Sequence, residues 1–261
     1  MLKKEYERTK KSFNEYYSQY DNTKKLIALK YNHSNRVDDL MEQLAKKIGF
    51  DTEGIYLAKI IGLLHDLGRF EQVKRINSFD DKELDHAELS ADYLFKEGNI
   101  RKFIRTDKYD SIIEKSIRNH NKLAIEKDLS PSEVFFAKMI RDMDKVDIFY
   151  QIATNYKNEF IEPPTNEVIK KFYKGESVER SLLKNNNSDR VIFTLSFIND
   201  MNFNESFEIL NNTKNINLYC DSIKVSDNQK DLFEKLKREL YKKIKKNKEK
   251  QLVKKDELWK N

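Results

Sequence analysis

The 261-residue chain contains little cysteine, glycine or proline, and it has no long hydrophobic run. Its single cysteine, Cys220, cannot form a disulfide within the chain, so a reducing compartment and a cytoplasmic location are expected. Six glycines and three prolines are few for an all-β chain built on tight turns. No segment approaches the roughly 20 apolar residues of a membrane span, and the first residues lack the apolar region of a signal peptide.

The positive charge of the chain is concentrated near its C-terminus. The net charge is +6, but residues 230–261 contain 13 Lys and Arg against 6 Asp and Glu, so the rest of the chain carries a net −1. A lysine-rich helix is usually a solvated face, and nucleic acid is therefore not the expected partner. This basic helix still leaves an acidic partner, nucleic acid or an anionic membrane surface as alternatives.

Hydrophobic periodicity predicts helices over most of the chain. The predicted helices span residues 3–19, 24–48, 55–66, 109–119, 130–150, 166–173, 188–200, 203–210 and 228–250, with another starting at residue 86. Three segments are predicted as loops: residues 68–84, residues 185–188 and the pair Asn211-Asn212; residues 215–219 are ambiguous. We therefore expect an all-α fold, with a helical core over residues 1–155 and a mostly helical extension over residues 156–261 that packs on it.

Two helix starts carry specific signals. Asp85 can cap a helix that begins at His86, with Glu88 at the third position. Ser130-Pro131-Ser132-Glu133 combines a capping serine, a proline in the first turn and a glutamate at the third position.

The most apolar stretch of the chain, IIGLLHDLGRF at residues 60–70, contains two adjacent ionisable residues, His65 and Asp66. Residues 55–66 are apolar on nearly every side, which predicts a buried central helix. Because burying a charge is costly unless it is paired or binds a metal, this pair indicates a functional site.

The remaining histidines also lie in the first half of the chain, at or beside helices with an apolar face. They are His33, His86 and His120, and Asp144 follows them among apolar neighbours in IRDMDKVDIF. Imidazole and carboxylate groups together suit Zn, Fe, Mn or Ni. Each residue alone also has an ordinary explanation, such as a partly buried polar group, a helix start, a favourable dipole contact at a helix C-terminus or an exposed charge.

Taken in order, these residues resemble the H…HD…D signature of the HD-domain superfamily of metal-dependent phosphohydrolases. The resemblance covers residues 24–150 and rests on the phrases KYNHSNRV, LLHDLGRF, DHAELSADYL, RNHN and IRDMDKVDIF. It implies an HD-domain helical bundle in which one divalent ion is held by His33, His65, Asp66 and Asp144.

The two other histidines resemble the additional ligands of HD proteins that hold two metals, such as HD-GYP cyclic dinucleotide phosphodiesterases. By this resemblance, Asp66 bridges to a second ion held by His86 and His120. The chain has no GYP motif, and Asn121 follows His120 where those proteins commonly have a second histidine.

The function implied is hydrolysis of a phosphate ester of a cyclic or linear nucleotide by a water that one or two divalent ions activate. Their identity, among Mn, Fe, Ni, Zn and Mg, stays open. Asp66 is expected to be catalytic as well as a ligand, and His120 or His86 protonates the leaving oxygen if the second ion is absent. Arg69 and Lys145 are the first candidates to neutralise a phosphate, ahead of Arg118 and Lys122.

Two other functions remain open at this stage. Some HD-fold proteins, such as inositol oxygenase, use six such ligands for a di-iron centre and oxygen chemistry. A non-catalytic module that senses a nucleotide is the other alternative. HD phosphohydrolases are often dimers, so the resemblance also allows a homodimer.

Overall fold

The computed structural model describes residues 2–248. These residues form two compact units, residues 2–144 and residues 145–248. Nearly all of the regular structure is helical, which confirms the predicted all-α class. Within residues 2–248, no helix has both the length and the apolar composition needed to cross a bilayer. The last two residues of the helix predicted at 228–250 lie outside the described residues.

The first unit consists of helices joined by turns and short loops. These are α1 (Leu2–Tyr17), α2 (Lys25–Ile48), α3 (Thr52–Leu64), α4 (Gly68–Ile76), α5 (His86–Ala91), α6 (Ile100–Phe103), α7 (Asp110–Asn119) and the first part of α8 (Pro131–Asn155). A short π-helical stretch, Asp92–Lys96, continues directly from α5.

The predicted central helix is α3, and α1 and α2 pack on it. Apolar residues occupy most of its positions, and those from Leu57 onward are fully buried, among them Ile61 and Leu64. Gly62 permits the close approach of α2, because a Cβ atom there would lie 3.1 Å from both the Asp38 Cα and the Val37 carbonyl oxygen. The chain after α3 is therefore held against the core of this unit.

Besides three short 3₁₀ helices (Arg180–Leu182, Ser196–Asp200 and Asp227–Gln229), the second unit contains the rest of α8, five further α-helices and two short strands. In chain order these are β1 (Asn158–Phe160), α9 (Asn166–Lys174), α10 (Asn187–Leu195), α11 (Asn204–Thr213), α12 (Asn215–Asp221), β2 (Ile223–Val225) and α13 (Lys230–Lys248). The strands pair in parallel, with Asn158 opposite Ile223 and Phe160 opposite Val225. The strand pair was not expected, because three-residue strands are too short to show an alternating pattern.

Both predicted helix starts are confirmed. The Asp85 carboxylate accepts hydrogen bonds from the backbone N–H groups of Ala87 and Glu88, at 2.8 and 3.3 Å. At the start of α8, Ser130 and Glu133 exchange backbone-to-side-chain hydrogen bonds of 2.7 and 3.3 Å. These contacts satisfy N–H groups that a helix leaves unpaired at its start.

Two predicted loops are wrong, and a third, residues 185–188, is wrong in its second half, because α10 begins at Asn187. The segment 68–84 begins with α4, because Phe70 and Val73 supply a buried apolar face that a short run with many charges conceals in the sequence. Asn211-Asn212 lies inside α11, where burial of Phe207 and Leu210 outweighs the weak helix propensity of asparagine. The ambiguous segment at 215–219 belongs to α12.

Candidate metal centre

His65 and Asp66 lie in the turn between α3 and α4, and both are almost completely buried. The His65 Nδ1 atom is 2.7 Å from the carbonyl oxygen of Gly62, one turn earlier in α3. A carbonyl only accepts hydrogen bonds, so the proton resides on Nδ1 and the lone pair on Nε2. The end of the central helix therefore directs a metal-binding nitrogen and a carboxylate into the interior of the unit.

A first cluster of possible ligands surrounds this turn. The His33 Nε2 atom, from α2, lies 3.3 Å from His65 Nε2 and 3.4 Å from Asp66 Oδ2. Asp144, from α8, places Oδ1 3.1 Å from His33 Nε2 and 3.8 Å from His65 Nε2. The structure therefore brings the Asp144 carboxylate to the two histidines of the first cluster.

A second cluster lies on the other side of Asp66. The Asp66 Oδ1 atom is 3.1 Å from His86 Nε2 and 3.6 Å from His120 Nε2. The two imidazole nitrogens are 2.9 Å apart. One oxygen of Asp66 thus faces the first cluster and the other faces the second, which is the arrangement of a bridging carboxylate.

The hydrogen bonds of the second cluster fit a metal ion. His86 Nδ1 is 2.6 Å from Asp81 Oδ1, and His120 Nδ1 is 2.7 Å from the Ile117 carbonyl oxygen. Both partners are acceptors, so each neutral imidazole carries its lone pair on Nε2. Two lone pairs that face each other at 2.9 Å repel unless a cation lies against them, and a bound metal ion meets this requirement.

The distances within both clusters also suit a metal ion. Two atoms bound about 2.1 Å from one ion, at tetrahedral or octahedral angles, lie about 3.0–3.4 Å apart. The separations within the clusters are close to this range. Three sets of ligand atoms each lie within 4.8 Å of one another: one in the first cluster (His33, His65 and Asp66), one in the second (Asp66, His86 and His120) and one that spans both (His65, His120 and Asp144). In addition, Asp66 Oδ1 is buried and accepts no hydrogen bond. The residues present therefore fit one or two divalent ions.

The electrostatics of the site favour ionised carboxylates and a neutral imidazole. Burial alone would raise the pKa of Asp66, but Lys30 and the neighbouring histidines outweigh it and hold that pKa well below its usual range. Burial would likewise raise the pKa of Asp144, but its hydrogen bonds with His33 and His65 outweigh burial and hold that pKa well below its usual range. Burial and the nearby guanidinium of Arg69 lower the pKa of His86. These protonation states are the ones that bind metal.

The sequence interpretation missed Lys30, a buried cation in this site. Its Nζ atom lies 2.7 Å from Asp66 Oδ2, and the residue is 6% exposed. The signal that could have identified it is spacing, because Lys30 precedes His33 by three residues on the same face of a helix.

Arg69 lies beside the clusters, as expected, but its guanidinium has other partners. Its Nη1 and Nη2 atoms lie 2.8 and 3.2 Å from the two oxygens of Asp81, and its Nε atom is 3.8 Å from Asp66 Oδ1. Asp81 was also missed by the sequence interpretation, since one carboxylate in the run FDDKELD carries no pattern of its own.

The other predicted cations are paired with carboxylates. Lys145 lies 2.7 Å from Asp200 within the second unit. Arg118 contacts Glu88, Glu114 and Asp92, and Lys122 contacts Glu126 at 2.5 Å. Their contribution to phosphate binding stays a prediction.

Two further residues hold the chain around His120. Arg141, one turn before Asp144 in α8, donates hydrogen bonds to the carbonyl oxygens of Asn119 and Lys122. Asn121 donates to the capping Asp85 at 2.9 Å, so the residue after His120 is tied to the start of α5. These contacts link the segments that carry His86, His120 and Asp144.

A family model for the HD domain matches residues 31–171, more than half of the chain. The chain belongs to the HD domain family. No curated protein and no solved structure matches it significantly. HD domains bind divalent metal ions and are largely metal-dependent phosphohydrolases, so membership supports a metal-dependent hydrolase. The resemblance inferred from the ordered histidines and aspartates is thereby confirmed, while the role of each residue stays a prediction.

Proposed function

We propose that this HD domain hydrolyses a phosphate ester of a cyclic or linear nucleotide, with His33, His65, Asp66, His86, His120 and Asp144 as its metal ligands. The observation that supports this most is the placement of the two Asp66 oxygens, one toward each cluster. A shared carboxylate is the ordinary way in which two ions are held close enough to act on one phosphate group.

The protein contributes geometry and charge to this reaction. When bound, divalent ions lower the pKa of a water molecule and neutralise charge on a phosphate. Asp66 and Asp144 supply fixed negative charge, and their depressed pKa values keep them ionised at neutral pH. The hydrogen bonds at Nδ1 of His65 and His120 fix both ring orientations before substrate arrives.

Three cations are proposed to neutralise the phosphate. Lys30 and Arg69 lie on either side of Asp66, the first near Oδ2 and the second near Oδ1. Lys145 follows Asp144 in the chain. If one ion suffices, His120 remains available to protonate the leaving oxygen.

The test is a substrate screen on protein loaded separately with Mn²⁺, Fe²⁺, Ni²⁺, Zn²⁺ or Mg²⁺. We expect cyclic or linear nucleotides to be hydrolysed, and Asp66→Asn to lower the rate by more than about 10²-fold, since a charged group that acts on the transition state is lost. Asp39→Asn is the matched control, because Asp39 is an exposed carboxylate on α2.

Other outcomes of this screen would contradict the proposal. Oxygen consumption by the iron-loaded protein, without ester hydrolysis, would indicate a di-iron oxygenase. Tight nucleotide binding without turnover under any metal would indicate a sensing module.

A further inference from the structure

Asp81 lies in the loop between α4 and α5, and its carboxylate contacts two elements of the site at once. Its Oδ1 atom is 2.6 Å from His86 Nδ1 and 2.8 Å from Arg69 Nη1, while its Oδ2 atom is 3.2 Å from Arg69 Nη2. Gln72 donates to the same carboxylate at 3.2 Å and accepts from Arg69 at 2.7 Å. The carboxylate is thus held in one orientation by three side chains.

The contact with His86 matters for metal binding. A carboxylate that accepts the Nδ1 proton fixes the ring orientation and makes the opposite nitrogen a stronger ligand. His65 and His120 obtain the same support from backbone carbonyl groups within their own helices. His86 stands at the first position of α5, where no preceding turn offers such a carbonyl, and a side chain of the loop supplies the acceptor instead.

The contact with Arg69 fixes the position of a cation. The two terminal nitrogens of Arg69 form a two-point contact with Asp81, so the Nε edge of the guanidinium is directed toward Asp66. That Nε atom is buried and donates no hydrogen bond. The negative charge of Asp81 also offsets the positive charge of the Arg69 guanidinium, which would otherwise repel a metal ion bound beside His86.

We propose that Asp81 is a positioning residue that sets the second metal subsite and the Arg69 cation together. Loss of its charge then weakens metal binding at the His86 cluster and leaves the His33 cluster intact. The metal part of this inference stands on geometry alone, and the part that concerns phosphate rests on the proposed function.

The experiment compares Asp81→Asn, which keeps the size of the side chain, with Asp80→Asn as a matched control. Asp80 is the adjacent exposed carboxylate, so both variants lose one negative charge in the same loop. Each protein is titrated with Mn²⁺, and metal content and the electron paramagnetic resonance spectrum are recorded. Thermal melts verify that both variants are folded.

We expect the parent and Asp80→Asn to bind about two Mn²⁺ and to show the spectrum of a coupled pair. In Asp81→Asn the second ion should bind about 10–100-fold more weakly, leaving the spectrum of an isolated ion. Asp81→Glu, which restores the charge, should recover part of the coupled spectrum. His86→Gln should lose the second ion already, so adding Asp81→Asn to it should cause no further loss.

Two results would overturn the inference. One is an Asp81→Asn protein that binds both ions as tightly as Asp80→Asn. The other is a parent protein that binds a single ion, since no second subsite would then exist to be positioned. Neither result bears on whether the parent hydrolyses nucleotides, and a parent that binds two ions without hydrolysing any ester would refute the proposed function alone.

Discussion

Lys30 is a buried cation that forms an ion pair with Asp66. The ammonium group lies 2.7 Å from Asp66 Oδ2 and also 5.3 Å from the centre of the Phe79 ring. Removing one partner of a buried ion pair destabilises a protein by about 3–5 kcal/mol, because the other charge is left without compensation. The pair therefore has a structural role whether or not Lys30 also acts on a substrate. A phosphate near Asp66 would be neutralised by this cation.

Lys30→Met tests whether Lys30 neutralises a phosphate. We expect the metal-loaded variant to keep its metal content while kcat/KM falls about 10²-fold, because one preorganised charge on the phosphate is lost. The comparison is Lys25→Met, which removes an exposed lysine from the same helix. Equal turnover in the two variants would leave Lys30 a purely structural partner of Asp66.

At the scale of elements, the contact between α4 and α5 brings His86 to the site. The backbone N–H of Gly68 donates to Ser90 Oγ at 2.7 Å, so the start of α4 lies directly against α5. A Cβ atom at Gly68 would lie 2.3 Å from the His86 carbonyl oxygen and 2.7 Å from the backbone nitrogen of Ser90. Only a residue without a side chain allows this approach.

Gly68→Ala should therefore destabilise the protein by about 2–3 kcal/mol, because α5 has to move away from α4. It should also weaken Mn²⁺ binding at the cluster that contains His86. Gly54→Ala is the comparison, since the three atoms nearest to its new methyl group all belong to the Phe50 side chain. Denaturant titrations of the two variants compare their stabilities, and equal midpoints would argue against the close contact.

At the scale of the whole molecule, the candidate ligands all belong to residues 2–144, yet they come from widely separated segments. They lie on α2, in the turn after α3, at the start of α5, after α7 and on α8. Metal ions bound by these residues stabilise the folded state of this unit, because the unfolded chain cannot gather the ligands.

Metal should therefore raise the stability of the protein by mass action, by about 2.7 kcal/mol at a free concentration of 100 Kd. Hydrogen exchange measured with and without Mn²⁺ should show added protection at the turn after α3 and at the start of α5, but not along α13. A chelator should reverse the change, and Asp66→Asn should not show it. Uniform protection over the whole chain would point to nonspecific binding.

Much of the fold could be predicted from the sequence, because its signals are local. Apolar periodicity and caps such as Asp85 and Ser130 depend on neighbours in the chain, and they located most of the helices. Segments whose structure depends on distant contacts were predicted poorly, as with α4, the strand pair and Asn211-Asn212 in α11.

By itself, the sequence determined the all-α class, the buried helix that precedes His65-Asp66, and the ordered residues that indicate an HD domain. The tertiary structure alone decided that the two oxygens of Asp66 face different clusters. It also decided that Lys30 lies against one of these oxygens and that Asp81 joins His86 to Arg69. The physical reason is that helix formation follows from residues a few positions apart, whereas the pairing of buried charges follows from packing between helices that are distant in the chain.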